Sequence, residues 1–142
     1  SDLDQVVAVK EFSGDVRRVW QIHQRAPRIE VLVGADDVLL ELATGGVVGW
    51  IAGFTNALPR ESKIVYDLAV SGDFAKARPL YAAMHELFHW DSQKEFIQAI
   101  KATMEFEGRY GGPTRLPRLP LPLKDLERLR TQYEKFKRDF RI

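Results

Sequence analysis

The stretch Val6-Val7-Ala8-Val9-Lys10-Glu11-Phe12-Ser13-Gly14-Asp15 decides the fold. Four apolar residues, three of them valine, end abruptly in charge, and such a run reads as a parallel strand buried on both faces. Ile29 to Val33 (IEVLV) and Val47 to Ile51 (VVGWI) read the same way. Between the first two runs, Val16, Val19, Trp20 and His23 recur at helical spacing over 15–24, behind Ser13-Gly14-Asp15 as an N-terminal cap. Pro27 closes that connection. Between the second and third, residues 37–44 carry Val38, Leu39 and Leu42 until Gly45-Gly46 stops them. The order is β-α-β-α-β, which parallel sheets with right-handed crossovers produce.

From Pro59 onward the periodicity is helical only, over 60–70, 74–88, 92–108 and 123–140. In the last segment Leu123, Leu126, Leu129, Tyr133, Phe136 and Phe140 form one apolar stripe that needs a neighbour. Gly111-Gly112-Pro113 and the proline-spaced run 116–122 read as an extended strap between the last two helices. The chain therefore divides into a partial (β/α) barrel over 1–72 and a C-terminal helical region over 73–142. Three apolar strands alone leave two open edges, an aggregation hazard that folds normally cover. Either another chain closes the sheet or the three units are the last of a (β/α)8 barrel, which takes about 250 residues and leaves roughly five strands upstream. A small open doubly wound sheet is the other architecture of this pattern.

Composition narrows the function. A chain of 142 residues, 45% hydrophobic and 29% charged, is the size of one domain. Twenty-one Lys and Arg against 20 Asp and Glu leave a net charge of +1, which gives no reason to expect nucleic acid. The absence of cysteine excludes disulfides, thiolate nucleophiles and Cys-based metal sites. Asp2 and Asp4 stand where a secretory leader carries positive charge. The longest apolar stretch, Gly45 to Leu58, is shorter than the roughly 20 residues that span a bilayer. A soluble, cytoplasmic protein without membrane contact is expected.

Parallel α/β folds place their chemistry at the C-terminal ends of the strands. Those ends carry Lys10-Glu11, Gly34-Ala35-Asp36-Asp37 and Ala52-Gly53-Phe54-Thr55-Asn56. A lysine leaving an apolar strand toward a barrel mouth is desolvated, which favours the neutral, nucleophilic amine. On spacing alone most strand-end lysines only begin a solvated loop, and Asp36 and Asp37 read first as an acidic first helical turn.

Lys10 and its neighbours carry a resemblance. The run 7–15 is similar to the sixth strand of the dihydrodipicolinate synthase and N-acetylneuraminate lyase family, where an IKEATGD-like motif holds a Schiff-base lysine. Residues 32–37 resemble the family's seventh-strand SGDD-like turn, and 49–56 resemble its eighth strand. Phe96 to Lys101, Gly111-Gly112 and Arg115-Leu116-Pro117 resemble its late helix and ending. The resemblance covers the C-terminal half of a family member. It implies a TIM-barrel lyase or synthase that forms an imine with pyruvate or a related 2-keto acid, without metal or organic cofactor. Lys10 would form the imine, the backbone around Ile51 and Ala52 would approach the keto-acid carboxylate, and Gly34, Asp36, Asp37 and Gly53 would line the substrate. Gly53 replaces a larger residue, and Trp90 to Glu95 replaces the family's N-P-x-P. With bulky Trp50 and Phe54, these departures point to a specialised subgroup, either 4-hydroxy-tetrahydrodipicolinate synthase-like or resembling the deaminases of 1-pyrroline-4-hydroxy-2-carboxylate. The family's proton-relay tyrosine falls upstream of Ser1. A catalytically incomplete fragment, or a partial barrel that needs an N-terminal partner or assembles as a homo-oligomer, is the alternative.

A competing motif is His85-Glu86-Leu87-Phe88-His89, which fits the H-E-x-x-H of zinc peptidases, with Glu105 or Glu107 as a third ligand. The same histidines read as interface residues on an amphipathic helix. His23 reads as a packing residue. The segment 124–142, with seven basic and four acidic residues, reads as a solvated face around its apolar stripe.

Overall fold

Three strands pair in chain order, all parallel: β1 (Ala8–Glu11), β2 (Glu30–Val33) and β3 (Gly49–Trp50). A computed structural model describes residues 3–141; Ser1, Asp2 and Ile142 lie outside the described residues. Helices α1 (Arg18–Arg25) and α2 (Leu39–Ala43) make the crossovers. Four helices follow: α3 (Pro59–Val70), α4 (Phe74–Phe88), α5 (Phe96–Phe106) and α6 (Leu123–Asp139). The β-α-β-α-β reading therefore holds, with β1 beginning two residues later than the valine run. β3 is longer in function than its two residues, because the amides of Val48 and Ile51 donate to Val31 O and Val33 O at 3.0 and 2.9 Å.

Register fixes which side chains share a face. Lys10 pairs with Leu32 and Leu32 with Gly49, while Glu11 pairs with Val33 and Val33 with Trp50. Since side chains alternate along a strand, Lys10, Leu32, Gly49 and Ile51 lie on one face and Val9, Glu11, Val31, Val33 and Trp50 on the other. The second face carries the helices, and Val31 and Val33 there are fully buried. The first face is uncovered: Lys10 is exposed and Ile51 is 49% exposed. Burial of β1 on both faces is thus not found. It is an edge strand, and even Val7 and Val9 remain 60% and 37% exposed.

One continuous core joins the sheet to the helical region. Val31, Val33, Leu39 and Leu42 pack into the same cluster as Leu80, Met84, Leu87 and Phe88 of α4 and Leu129 and Phe136 of α6. Asp73 caps α4, its side chain accepting from the Lys76 amide. The expected cap at Ser13-Gly14-Asp15 is instead a turn in which Asp15 Oδ1 accepts from the Arg17 amide at 3.1 Å, ahead of α1. The stripe of α6 is only partly used: Leu129 and Phe136 are buried, whereas Leu123 is 71% exposed. Several charges of α6 are also engaged, Arg128 lying 4.1 Å from the Trp90 ring centre and Arg130 4.3 Å from that of Phe106.

The helix expected over 92–108 starts only at Phe96. Residues His89–Ser92 form a 3-10 turn, and Gln93 is extended. This break turns Asp91 toward the sheet, where its Oδ2 accepts from the Asp36 amide at 3.3 Å.

Candidate active site

The strand ends converge on a small acidic centre beside an open lysine. Lys10, the next-to-last residue of β1, projects from the uncovered face, its Nζ 5.0 Å from the centre of the Phe12 ring. The apolar surroundings expected around this amine are not supplied by the described residues. Glu11, next to it, points the other way and is buried. Its Oε1 accepts from the Ser13 amide at 2.9 Å, while Oε2 is buried without a hydrogen-bond partner among the described residues.

Gly34 is required by close packing: a Cβ there would lie 2.4 Å from Glu11 O and 2.7 Å from Phe12 Cβ. The missing side chain lets the end of β2 press against the end of β1. Asp36 and Asp37 then follow in a 3-10 turn. Asp36 has no exposed surface. Its Oδ1 accepts from Trp50 Nε1 and the Gly53 amide at 3.1 and 3.2 Å, and its Oδ2 from the Phe54 amide at 2.7 Å. It therefore ties the loop after β2 to the loop after β3, with both oxygens committed. Burial, and then the charge of Asp91, push its carboxyl up to about 7 against the pull of those three donors. The Asp36 carbonyl accepts from Tyr81 OH at 3.3 Å, and burial holds that phenol well above its ordinary range.

Asp37 is also engaged, accepting from Ser92 Oγ at 2.8 Å and lying 2.8 Å from His89 Nδ1. That contact bears on the H-E-x-x-H reading. His89 falls beyond the end of α4 and faces Asp37, Glu86 pairs with Lys135, and His85 meets the Tyr81 ring edge-on. Among the described residues no group of three or more His, Asp or Glu is placed to hold a metal ion. The His89 amide still donates to His85 O at the end of α4, so the helical spacing holds, but the His89 ring is taken by Asp37 and the His85 ring by Tyr81. His23 packs as read, Nε2 lying 2.9 Å from Gly45 O.

At the end of β3 the Ile51 amide is committed to Val33 O, so it is not free to receive a carboxylate. Ala52 and Gly53 are half-buried, and their carbonyls accept from Thr55 Oγ1 and Asn56 Nδ2. Trp50 and Phe54, the bulky departures, pack into the core: Phe54 is fully buried, and the Trp50 ring meets Phe88 edge-on with centres 5.5 Å apart. Gly53 explains another departure. A Cβ on it would lie 2.3 Å from Asp91 Oδ1, so the room it leaves is occupied by Asp91. Asp91 is the site residue that sequence reasoning missed. Its signal was present as two departures, at Gly53 and at Trp90 to Glu95, that the fold brings into contact.

A parallel sheet with crossover helices, a lysine at a strand end on its open side and an acidic β2 turn locked to β3 form a parallel (β/α) arrangement. The sequence profile of the Dihydrodipicolinate synthetase family matches residues 1–135, and the chain belongs to that family. It is 32% identical over 130 residues to 4-hydroxy-tetrahydrodipicolinate synthase of Parabacteroides distasonis, covering 91% of this chain and 44% of the relative. Among solved structures it superposes on the 4-hydroxy-tetrahydrodipicolinate synthase of Methylacidiphilum fumariolicum with TM-score 0.85 and 29% identity, over 94% of this chain and 45% of that one. The N-acetylneuraminate lyase of Fusobacterium nucleatum shares the fold, with TM-score 0.77 at 24% identity over 95% of this chain and 46% of that one. The chain spans less than half the length of these relatives. Among the described residues no helix is long and apolar enough to cross a membrane.

Proposed function

We propose that Lys10 forms an imine with pyruvate or a related 2-keto acid, as the nucleophile of a lyase or synthase akin to 4-hydroxy-tetrahydrodipicolinate synthase. The observation that carries this reading is the position of Lys10: one residue from the C-terminal end of β1, on the uncovered face and beside Leu32, with Ile51 on the same face beyond β2. The amine attacks the 2-oxo carbon, the carbonyl oxygen leaves as water, and a carbon–nitrogen double bond to Lys10 remains. The resulting iminium is an electron sink for forming or breaking the next carbon–carbon bond. The chemistry requires no metal or organic cofactor. Trp50 and Phe54, two of the departures that pointed to a specialised subgroup, pack into the core, and the synthase-like branch is the one we favour.

The second reading, that residues 1–142 alone are catalytically incomplete, is favoured by the uncovered sheet face. Lys10 is exposed, and Phe12 and Ile51 are exposed at 47% and 49%, at the C-terminal end of the strands. The N-terminal part of a barrel, or a second copy, would cover these groups and dry the amine. Both readings are tested by incubating the full-length gene product with pyruvate, reducing with borohydride, and mapping the adduct by peptide mass. The expected adduct is confined to Lys10 and absent from Lys10→Ala; labelling that ignores Lys10 contradicts the proposal.

A further inference from the structure

Lys10 and Phe12 stand two residues apart at the end of β1, and the alternation of side chains puts both on the uncovered face. Phe12 occupies the place at which the IKEATGD-like motif carries alanine. A methyl group there would not reach the lysine. The phenyl ring does, with Lys10 Nζ 5.0 Å from its centre. Among the described residues no ion pair or hydrogen bond holds this ammonium, and the ring is the group that meets it.

Phe12 is fixed at its root and free at its tip. The pairing of β1 with β2 ends with Glu11 beside Val33, and one residue further Gly34 closes on Phe12, where a Cβ on the glycine would lie 2.7 Å from Phe12 Cβ. On the other side of Phe12 in sequence, the Ser13 amide donates to Glu11 Oε1 at 2.9 Å. The side chain itself is 47% exposed, so it adds little to the core, and its one recorded engagement is with the amine.

A ring face attracts a cation weakly while water competes for it and more strongly when the cation is poorly hydrated. Imine formation changes Lys10 in that direction. Counted from the ammonium, Lys10 and the 2-oxo acid become an iminium and one water: a carbon–nitrogen double bond forms, the carbon–oxygen bond breaks, two of the three ammonium protons leave with the oxygen, and the charge stays at +1. One N–H remains for water to hold. The ring therefore gains on water as the reaction proceeds. We infer that Phe12 is a positioning residue of the imine-forming step, its ring holding the Lys10 nitrogen at the strand end and favouring the iminium over the free ammonium. This rests on the imine chemistry proposed above.

The test is borohydride trapping of pyruvate at Lys10 in the full-length gene product, as wild type, Phe12→Leu and Phe12→Tyr. Leucine keeps apolar bulk and loses the ring face, whereas tyrosine keeps the face. Phe12→Leu is expected to raise the half-saturating pyruvate concentration at least about threefold, with the trapping rate at saturating pyruvate and the urea midpoint unchanged. Phe12→Tyr is expected to stay within about twofold of wild type on the same scale. A half-saturating concentration in Phe12→Leu equal to that of wild type overturns the assignment. So does a Phe12→Tyr variant that loses as much as Phe12→Leu, or a loss accompanied by a lowered urea midpoint, which marks a structural role only. These outcomes leave the imine reading standing, whereas a wild-type protein that gives no Lys10 adduct with pyruvate defeats that reading and this inference with it.

Discussion

The two faces of β2 lie one residue apart and are built to different rules. Val31 and Val33 face the helices with no exposed surface, while Leu32 between them faces Lys10 on a side that no described element covers. On the helix side the molecule is finished, with Phe54, Leu80, Met84, Leu87 and Phe88 closing one core. On the other side its exposed side chains include Lys10 and Ile51. The difference teaches that the helix side carries the stability of this chain, and it leaves the chemistry proposed for Lys10 on the side that no described element covers.

The largest effect expected from this contrast is on the finished side. Phe88 is fully buried with its ring against Trp50, Phe54 and Tyr81, so Phe88→Ala should cost about 3–5 kcal/mol in urea unfolding. A loss below about 1 kcal/mol would mean that this core is not the source of stability. Next comes a pH effect at the hinge between the two sides. Asp36 is held up at about 7 in the fold against 3.8 as its ordinary value. The folded protein keeps the proton over a range in which the unfolded chain has lost it. Stability is therefore fullest below about pH 4 and falls as pH rises through 7, by at most about 4 kcal/mol. Urea midpoints at pH 5 and pH 8 measure the fall. Asp91→Asn removes the second cause, the repelling charge, and should lessen the fall while burial keeps part of it.

The smallest effect belongs to the open face. Ile51→Ser should change the stability of residues 1–142 by less than about 0.5 kcal/mol, because half of that side chain is already in water. A cost of 2 kcal/mol or more would show that a partner or second copy covers this face in solution. The same substitution then serves as a probe of assembly.

The element order was legible because each strand is a short β-branched run set off by turn residues, and each helix shows its period. The exposure of β1 was not. The composition of 6–9 fits a strand buried on both faces, whereas the described chain covers only one. At the site, the positions of Lys10 and of the Gly34 to Asp37 turn could be read from the strand ends. The direction of Asp36 could not, because its donors come from a loop 14 to 18 residues away and its backbone contact with Asp91 spans 55 residues. Periodicity carries no information about such contacts. His89 misled for a related reason: its spacing from His85 is helical, but its ring is taken by Asp37, 52 residues away in sequence.

The most direct test of the account is the rate at which pyruvate and borohydride label Lys10 in residues 1–142, alone and after mixing with the N-terminal half of the Parabacteroides distasonis synthase. Covering the open face should dry and orient the amine, so labelling at Lys10 is expected to rise by about a hundredfold on mixing, with Lys10→Ala unlabelled in both states. An equal rate with and without the added half, or labelling spread over other lysines, would contradict the claim that this face is one side of an imine-forming site.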